Sequence, residues 1–465
     1  MLPVVALVGR PNVGKSTLFN RLTSTRDALV ADIPGLTRDR RYGVGRFDDR
    51  RFIVIDTGGL AIDGSTDMAA LVAEQAEIAI DESDVAVLVV DHKQGLNPED
   101  TRIAELLRRK AKRVVVAVNK AEGTLGELAE AEFHSLGLGQ PIGIAALHGQ
   151  GIGKLLDAAV APLATPEDAA VEQRLEGPKL AVIGRPNVGK STLINRLLGE
   201  NRLITSPEPG TTRDSVLVQC ERGERQFVLI DTAGIRRRAR VSETVEKFSI
   251  VQSLQAIEDA GAVIALLDAR AGITDQDMHL VGLAAERGRA LAIGINKWDG
   301  LSSGERREVE REIDRKLDFV PYANIHYVSA LHGSGIAELL DSALTAHASA
   351  GEEFATPRLN QVLRDALAEN PPPVVRGRQV RLRYAHQGGR YPTLVVVYGA
   401  QAKRLPDHYT RYLENAFRAA LRVRGTPIRI ELRTGENPFA AKKKRLTPLA
   451  AKKKRRSLRD KHRGR

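Results

Sequence analysis

A string of ten residues, Gly9-Arg-Pro-Asn-Val-Gly-Lys-Ser-Thr-Leu18, recurs letter for letter at Gly184 to Leu193. It fits G-x-x-x-x-G-K-[ST], a loop whose backbone N–H groups turn inward around a polyphosphate. Gly9 and Gly14 permit a tight backbone that a β-carbon would obstruct. Lys15 supplies an ammonium for the β- and γ-phosphates, and the Ser16 hydroxyl can ligate magnesium. Gly184, Gly189, Lys190 and Ser191 repeat these roles, and each following helix adds its positive N-terminal dipole. Around the loops, Val4 to Val8 and Leu180 to Ile183 read as buried parallel strands. Ser16 to Leu22 and Ser191 to Leu197 read as amphipathic helices. Strand, glycine loop and helix is the setting the motif requires, and it occurs twice.

Further motifs follow each loop in one order. Thr37, in the Pro/Gly-punctuated stretch Asp32 to Asp39, is placed to close over a γ-phosphate and give its hydroxyl to magnesium. Arg51 to Asp56 reads as a strand ending in an acid. Asp56, Thr57, Gly58 and Gly59 then fit D-x-x-G, with the carboxylate at the magnesium shell and the Gly59 N–H at the γ-phosphate. Loss of that phosphate would release the next segment. The position after the turn, where Ras-like enzymes carry a water-orienting glutamine, is Leu60. The same spacing of 175 residues relates Lys15 to Lys190, Ser16 to Ser191, Thr37 to Thr212, Asp56 to Asp231 and Gly59 to Gly234. Thr232, Ala233 and Ile235 complete the second turn. Constant spacing over several motifs argues for a duplicated domain.

The third element is a base-reading corner. Asn296, Lys297, Trp298 and Asp299 fit N-K-x-D, whose acid accepts from guanine N1–H and the 2-amino group. A site built on such bonds rejects adenine, because the wrong base leaves polar groups unpaired. Asn119, Lys120, Ala121 and Glu122 form the first copy, with Glu122 in place of the Asp. Ser329-Ala-Leu331 is a base-covering loop, and its first-copy equivalent carries Ala145 in place of the Ser. The second site should therefore hold guanine more tightly. The expected nucleotide-binding set is Gly9, Arg10, Pro11, Asn12, Val13, Gly14, Lys15 and Ser16 with Asp56 to Leu60 and Asn119 to Glu122. Its second copy is Gly184, Arg185, Pro186, Asn187, Val188, Gly189, Lys190 and Ser191 with Asp231 to Ile235 and Asn296 to Asp299.

The chain of 465 residues has room for about three domains. The expected division is 1–163 and 179–350 as two GTPase domains joined by an acidic linker, 164–178, then an α+β module, 351–440, and a tail, 441–465. In the module, Leu359 to Ala368 and Tyr409 to Arg422 read as helices. Gln379 to Tyr384, Thr393 to Tyr398 and Pro427 to Arg433 read as strands. From Lys442 to Arg465 there are 13 basic residues and one acid, Asp460, which accounts for the whole formal charge of +12. Such like-charge blocks stay disordered and often bind nucleic acid, a solubilising tail being the alternative. A second basic run, Arg236 to Arg240, follows the Asp231 turn, where a phosphate-driven switch would move. No apolar run approaches the ~20 residues that span a bilayer. The first residues open a strand rather than a secretory leader, and one cysteine, Cys220, suits a reducing compartment. The expectation is a cytoplasmic monomer.

These residues resemble the Der, or EngA, family of bacterial double GTPases. The resemblance rests on the tandem Gly-Arg-Pro-Asn-Val-Gly-Lys-Ser loops, Thr-Arg-Asp at Thr37 and Thr212, the two acid turns and Asn-Lys-Trp-Asp at 296–299. It implies GTP hydrolysis, contact with large-subunit rRNA, a role in ribosome assembly and a KH-like third module. RNA-gripping KH modules carry a G-x-x-G loop, and none occurs between Glu352 and Ala440. In similar GTPases a P-loop Asn helps hold potassium beside the phosphates, and Asn12 and Asn187 match it. The resemblance thus implies potassium-stimulated hydrolysis with magnesium. With Leu60 and Ile235 after the acid turns, intrinsic turnover should be slow, or another group must position the water. An RNA-binding scaffold with a structural nucleotide is the contrasting reading. A tRNA-modifying GTPase would need a folate domain or reactive cysteine that the chain lacks.

Overall fold

The computed structural model describes residues 2–23, 30–32, 41–47, 50–57, 77–123, 127–163, 177–200, 217–222, 225–230, 250–375 and 378–434. Thr37, Gly58, Gly59, Leu60, Thr212, Asp231, Thr232, Ala233, Gly234 and Ile235 lie outside these residues, as do the run Arg236 to Arg240, most of the expected linker and the whole tail. The chain divides into two compact units. One comprises 1–350 with 424–427, and the other 351–423 with 428–465.

The first unit holds two P-loop domains. In the N-terminal one, β1 (Val4–Val8) runs into the glycine loop and α1 (Lys15–Thr23). Then come β2 (Val30–Asp32), β3 (Arg41–Phe47), β4 (Arg50–Asp56), β5 (Val85–Asp91), α2 (Pro98–Lys110), β6 (Val114–Asn119), α3 (Glu127–Glu130), β7 (Ile142–Gly143) and α4 (Ile152–Ala159). The strand order is β2-β3-β4-β1-β5-β6-β7. β1 is parallel to β4 and β5, and β6 and β7 continue parallel. β3 pairs antiparallel with β4, and β2 with β3. β1 and β5 are buried at every residue, which is why they read as unbroken apolar runs rather than alternating ones.

The second domain repeats the plan. Its elements are β8 (Lys179–Ile183), α5 (Lys190–Glu200), β9 (Val218–Arg222), β10 (Arg225–Ile230), α6 (Ile250–Asp259), β11 (Ala262–Asp268), α7 (Asp275–Glu286), β12 (Ala290–Asn296), α8 (Ser303–Lys316), β13 (Asn324–Tyr327) and α9 (Ile336–Ala350). The order is β13-β12-β11-β8-β10-β9, with only β9 antiparallel to its neighbour. Cys220 in β9 is buried and its thiol is pushed up to about 11 by that burial, so it packs as a small apolar group. In open sheets of this kind ligands bind beyond the carboxyl ends of the parallel strands. Both glycine loops, both Asn-Lys corners and Asp56 lie at those ends.

The second unit is a separate α+β fold. α10 (Thr356–Glu369) and α11 (Asp407–Leu421) flank β14 (Val374–Val375), β15 (Arg378–Gln379), β16 (Arg381–Gly389) and β17 (Thr393–Ala400), and β18 (Ile428–Thr434) ends the described chain. β16-β17-β18 form a sheet, antiparallel then parallel. Leu359 and Leu363 of α10 and Leu413 and Phe417 of α11 share one core with Ala385, Val395 and Val397. Gly388 to Tyr391 is the end of β16 and its turn into β17, not a loop between helices.

Candidate nucleotide-binding sites

The glycine loops owe their shape to left-handed backbone at glycine. Gly14 and Gly189 have φ of 97° and 103°, and a β-carbon on either would strike the side-chain amide of Asn119 or Asn296. Asn12 and Asn187 are also left-handed, at 64° and 62°, a conformation that Asn tolerates better than most residues. Successive turns of this kind leave backbone amides facing a common anion.

Lys15 is buried, and its Nζ donates to the carbonyl oxygens of Gly9 and Arg10 at 2.7 and 2.6 Å. Lys190 does the same with Gly184 and Arg185, at 2.8 and 2.7 Å. Burial pushes the Lys15 ammonium down to about 8, with the charges of Asp56 and Glu99 acting against the shift. Asp56 is fully buried at the end of β4, in register with Leu7 of β1. The adjacent Thr57 hydroxyl donates to the Leu7 carbonyl at 2.8 Å. The acid turn is thereby tied to the strand that feeds the glycine loop.

The base corner is stitched to the same loop. Asn119 Nδ2 donates to the Val13 carbonyl at 2.9 Å, and Asn119 Oδ1 accepts from Ala146 N–H at 3.0 Å. Asn296 repeats both bonds, to Val188 at 2.7 Å and from Ala330 at 2.8 Å. Lys120, left-handed at 61°, reaches the Asn12 carbonyl at 2.8 Å and Asp91 Oδ2 at 2.6 Å. Lys297, also at 61°, reaches Asn187 at 2.9 Å and Asp268 at 2.5 Å. In both copies an Asn and a Lys thus join the phosphate loop to the base-covering loop. Leu147 and Leu331 stand exposed on the covering loops, 69% and 71%. They offer an apolar surface where a base would lie.

The side chains of Arg10 and Arg185 are turned to their own domains. Arg10 Nε donates to Asp100 Oδ1 at 2.8 Å and Nη1 to Gln94 at 3.0 Å. Arg185 Nε donates to Asp277 at 2.9 Å and Nη2 to the Gly272 carbonyl at 3.0 Å. Both Arg side chains are therefore occupied, which leaves their backbone for a phosphate. Asp100 and Asp277 are fully buried and also close capping boxes, with Asn97 on α2 and Thr274 on α7. Asp91, Asp268, Asp100 and Asp277 were not among the sequence-predicted site residues. Alignment of the two halves carries the signal: Asp91-His-Lys-Gln-Gly95 answers Asp268-Ala-Arg-Ala-Gly272, and Asn97 to Asp100 answers Thr274 to Asp277.

A family model described as 50S ribosome-binding GTPase matches residues 4–120 and again 179–297. A second, described as the KH-domain-like region of EngA bacterial GTPase enzymes, matches 354–433. GTPase Der of Hahella chejuensis is 52% identical over 98% of this chain and 97% of that protein. The protein of the same name from Alteromonas mediterranea is 52% identical over 98% of each. The chain belongs to the Der family of GTPases. As a Der-family protein it carries two P-loop GTPase domains and a C-terminal KH-like domain, and it binds and hydrolyses GTP. Among the described residues, no helix is long and apolar enough to cross a membrane.

Within this Der-family chain the two guanine corners are not identical. The Ser329 hydroxyl beside Asp299 holds its carboxylate below the usual range. His332 Nε2 stands 3.3 Å from it. Glu122 is paired instead with Lys93 Nζ at 2.5 Å, and that bond likewise lowers its carboxyl. Trp298 packs on Tyr327 with ring centroids 4.1 Å apart, and the Arg306 guanidinium lies over it. These contacts fix the second corner from its outer side.

Proposed function

We propose that this Der-family GTPase is a nucleotide-set switch in assembly of the large ribosomal subunit, touching rRNA through its third domain and the basic tail Lys442 to Arg465. The observation that carries the reading is the stitched pocket, built twice in one chain ahead of a module matching the EngA C-terminal model. Two such pockets, each empty, GDP-bound or GTP-bound, give nine loading states, and each sets a different packing of the domains around RNA.

In the chemistry, Lys15 and Lys190 hold the β- and γ-phosphates once they leave their loop carbonyls. Asn119 and Asn296 keep the loop in register with the base, and Glu122 and Asp299 read guanine. Ser16 with Thr37, and Ser191 with Thr212, are the magnesium-side hydroxyls, backed by Asp56 and Asp231. The donors are hydroxyl and carboxylate oxygens, a hard set that suits magnesium, and Asp56 is near enough to Lys15 to raise its pKa. Bound magnesium would neutralise charge on the phosphate oxygens. Gly59 and Gly234 offer their N–H groups to the γ-phosphate. Leu60 and Ile235 have no hydrogen bond to give an attacking water, so intrinsic turnover is slow. Asn12 and Asn187 are the potassium-side residues, and hydrolysis is stimulated by potassium over sodium. The protein acts as a cytoplasmic monomer.

Crosslinking to RNA with a GTP analogue, with GDP and without nucleotide tests the switch. State-dependent rRNA crosslinks support it. Identical crosslinks in all three states would favour a scaffold whose nucleotide is structural. Equal rates in sodium and potassium would remove the potassium role alone.

A further inference from the structure

The two guanine corners differ at three positions that face one another, and the differences compensate. In the second domain the acid is Asp299, and the nearby Ser329 hydroxyl favours its charged form. Arg270, in the loop after β11, sends Nη2 to the Asp299 carbonyl oxygen at 2.8 Å, not to the carboxylate. The covering loops superpose in kind, since Ser329 bridges to Ser334 as Ala145 bridges to Gln150. In the first domain, then, the position of the Ser329 hydroxyl is a methyl group. The acid there is Glu122, with one more rotatable bond. Lys93 occupies the loop position of Arg270, and its ammonium meets Glu122 Oε1 at 2.5 Å.

We infer that Lys93 is a specificity-determining residue of the first guanine site: it holds the Glu122 carboxylate in the orientation that accepts guanine N1–H and the 2-amino group. This rests on the reading of Glu122 as the base-reading acid. A carboxylate has about four lone-pair sites, so the bond from Lys93 leaves acceptors for both base donors. Glutamate on an exposed turn samples several rotamers, and each must be given up when the base binds. A partner that selects one rotamer beforehand preorganises the site. Exposed ion pairs add little to folding stability. The role of Lys93 therefore lies in ligand discrimination and not in holding the fold.

The test uses the full chain carrying Asp299→Asn, which removes the paired acceptor from the second site so that guanine binding reports the first. Fluorescent GDP and IDP are the probes, since inosine lacks the 2-amino group. Adding Lys93→Met should weaken GDP binding about tenfold and IDP binding by less, narrowing the preference for GDP. Rebuilding the second-site set on that background, with Glu122→Asp and Ala145→Ser, should restore it. An unchanged GDP-to-IDP ratio in Lys93→Met, or an equal loss for both nucleotides, would overturn the inference. If the Asp299→Asn parent shows no preference for GDP over IDP, the guanine role of Glu122 itself fails, and the role of Lys93 with it.

Discussion

Arg51 Nη1 in β4 lies 2.6 Å from Glu258 Oε2 near the end of α6, and the pair joins the two GTPase domains. The Glu258 carboxylate is fully buried, and Arg287 and Arg289 of its own domain also reach it. Gln255, a turn earlier on α6, donates to the Leu2 carbonyl at 3.2 Å. β4 ends in Asp56, while α6 follows the second acid turn in sequence. The contact therefore sits at the amino end of β4 and the carboxyl end of α6, at the opposite end of the strand from Asp56. Arg51 is 46% exposed on its side chain, so Arg51→Met should cost under about 1 kcal/mol. Glu258→Met takes a fully buried carboxylate away from the Arg287 and Arg289 guanidiniums and should cost about 3 to 5 kcal/mol. Trp298 is the single tryptophan and reports the second domain. Urea unfolding followed by its fluorescence should move far more for Glu258→Met, and the reverse order would refute the assignment.

The Asp277 carboxylate serves two partners at once. It takes Arg185 of the glycine loop and the Thr274 N–H of the α7 cap, at 2.9 Å each. Asp277→Ala should destabilise the second domain by about 3 kcal/mol and weaken GDP binding there. Asp275 sits in the same first turn but is exposed, and Asp275→Ala should cost under about 1 kcal/mol through the helix dipole alone. Comparable losses for the two variants would show that first-turn charge, not the tie to the loop, carries the effect.

The glycine loops and base corners were legible because each pattern has few other uses once its neighbours are in place. Strands such as β1 and β5 were equally plain, their apolar runs having no other home than a doubly covered sheet. The buried acids were not. Asp91 or Asp100 alone reads as a turn or cap residue, and only the folded sheet brings Asp91 to Lys120 and Asp100 to Arg10. Lys93 was hidden for the same reason, being 29 residues from Glu122. Side-chain pairing across loop ends follows from the sheet order, which no single motif encodes.

Lys15 gives the first site a pH dependence of definite sign. Its ammonium is held at about 8, against an ordinary value of 10.5. In the unliganded protein this is a destabilisation, present in full below pH 8 and relieved as pH rises toward 10.5. Phosphate oxygens favour the ammonium, so binding above pH 8 must take up a proton. GDP affinity at the first site should fall as pH rises from 8, by at most about tenfold per unit. Calorimetry of Asp299→Asn protein at pH 9, in two buffers of different ionisation enthalpy, should reveal uptake approaching one proton. Zero uptake would mean that Lys15 stays charged in the empty site.

Asn296 holds two loops with one amide, so its loss should loosen both. Asn296→Ala leaves the Val188 carbonyl and the Ala330 N–H without the partner each has here. Buried groups so orphaned cost about 1 to 3 kcal/mol each, although loop relaxation and entering water will recover part of it. Asn296→Asp keeps an acceptor for Ala330 but sets a carboxylate against the Val188 carbonyl, so it should be no milder. Both variants should release GDP from the second site faster, by about ten- to a hundredfold for 1.4 to 2.8 kcal/mol lost. Stopped-flow release of fluorescent GDP, with the first site emptied by Lys15→Ala, measures it. Parent-like release from Asn296→Ala would show that the loops keep their register without this bridge.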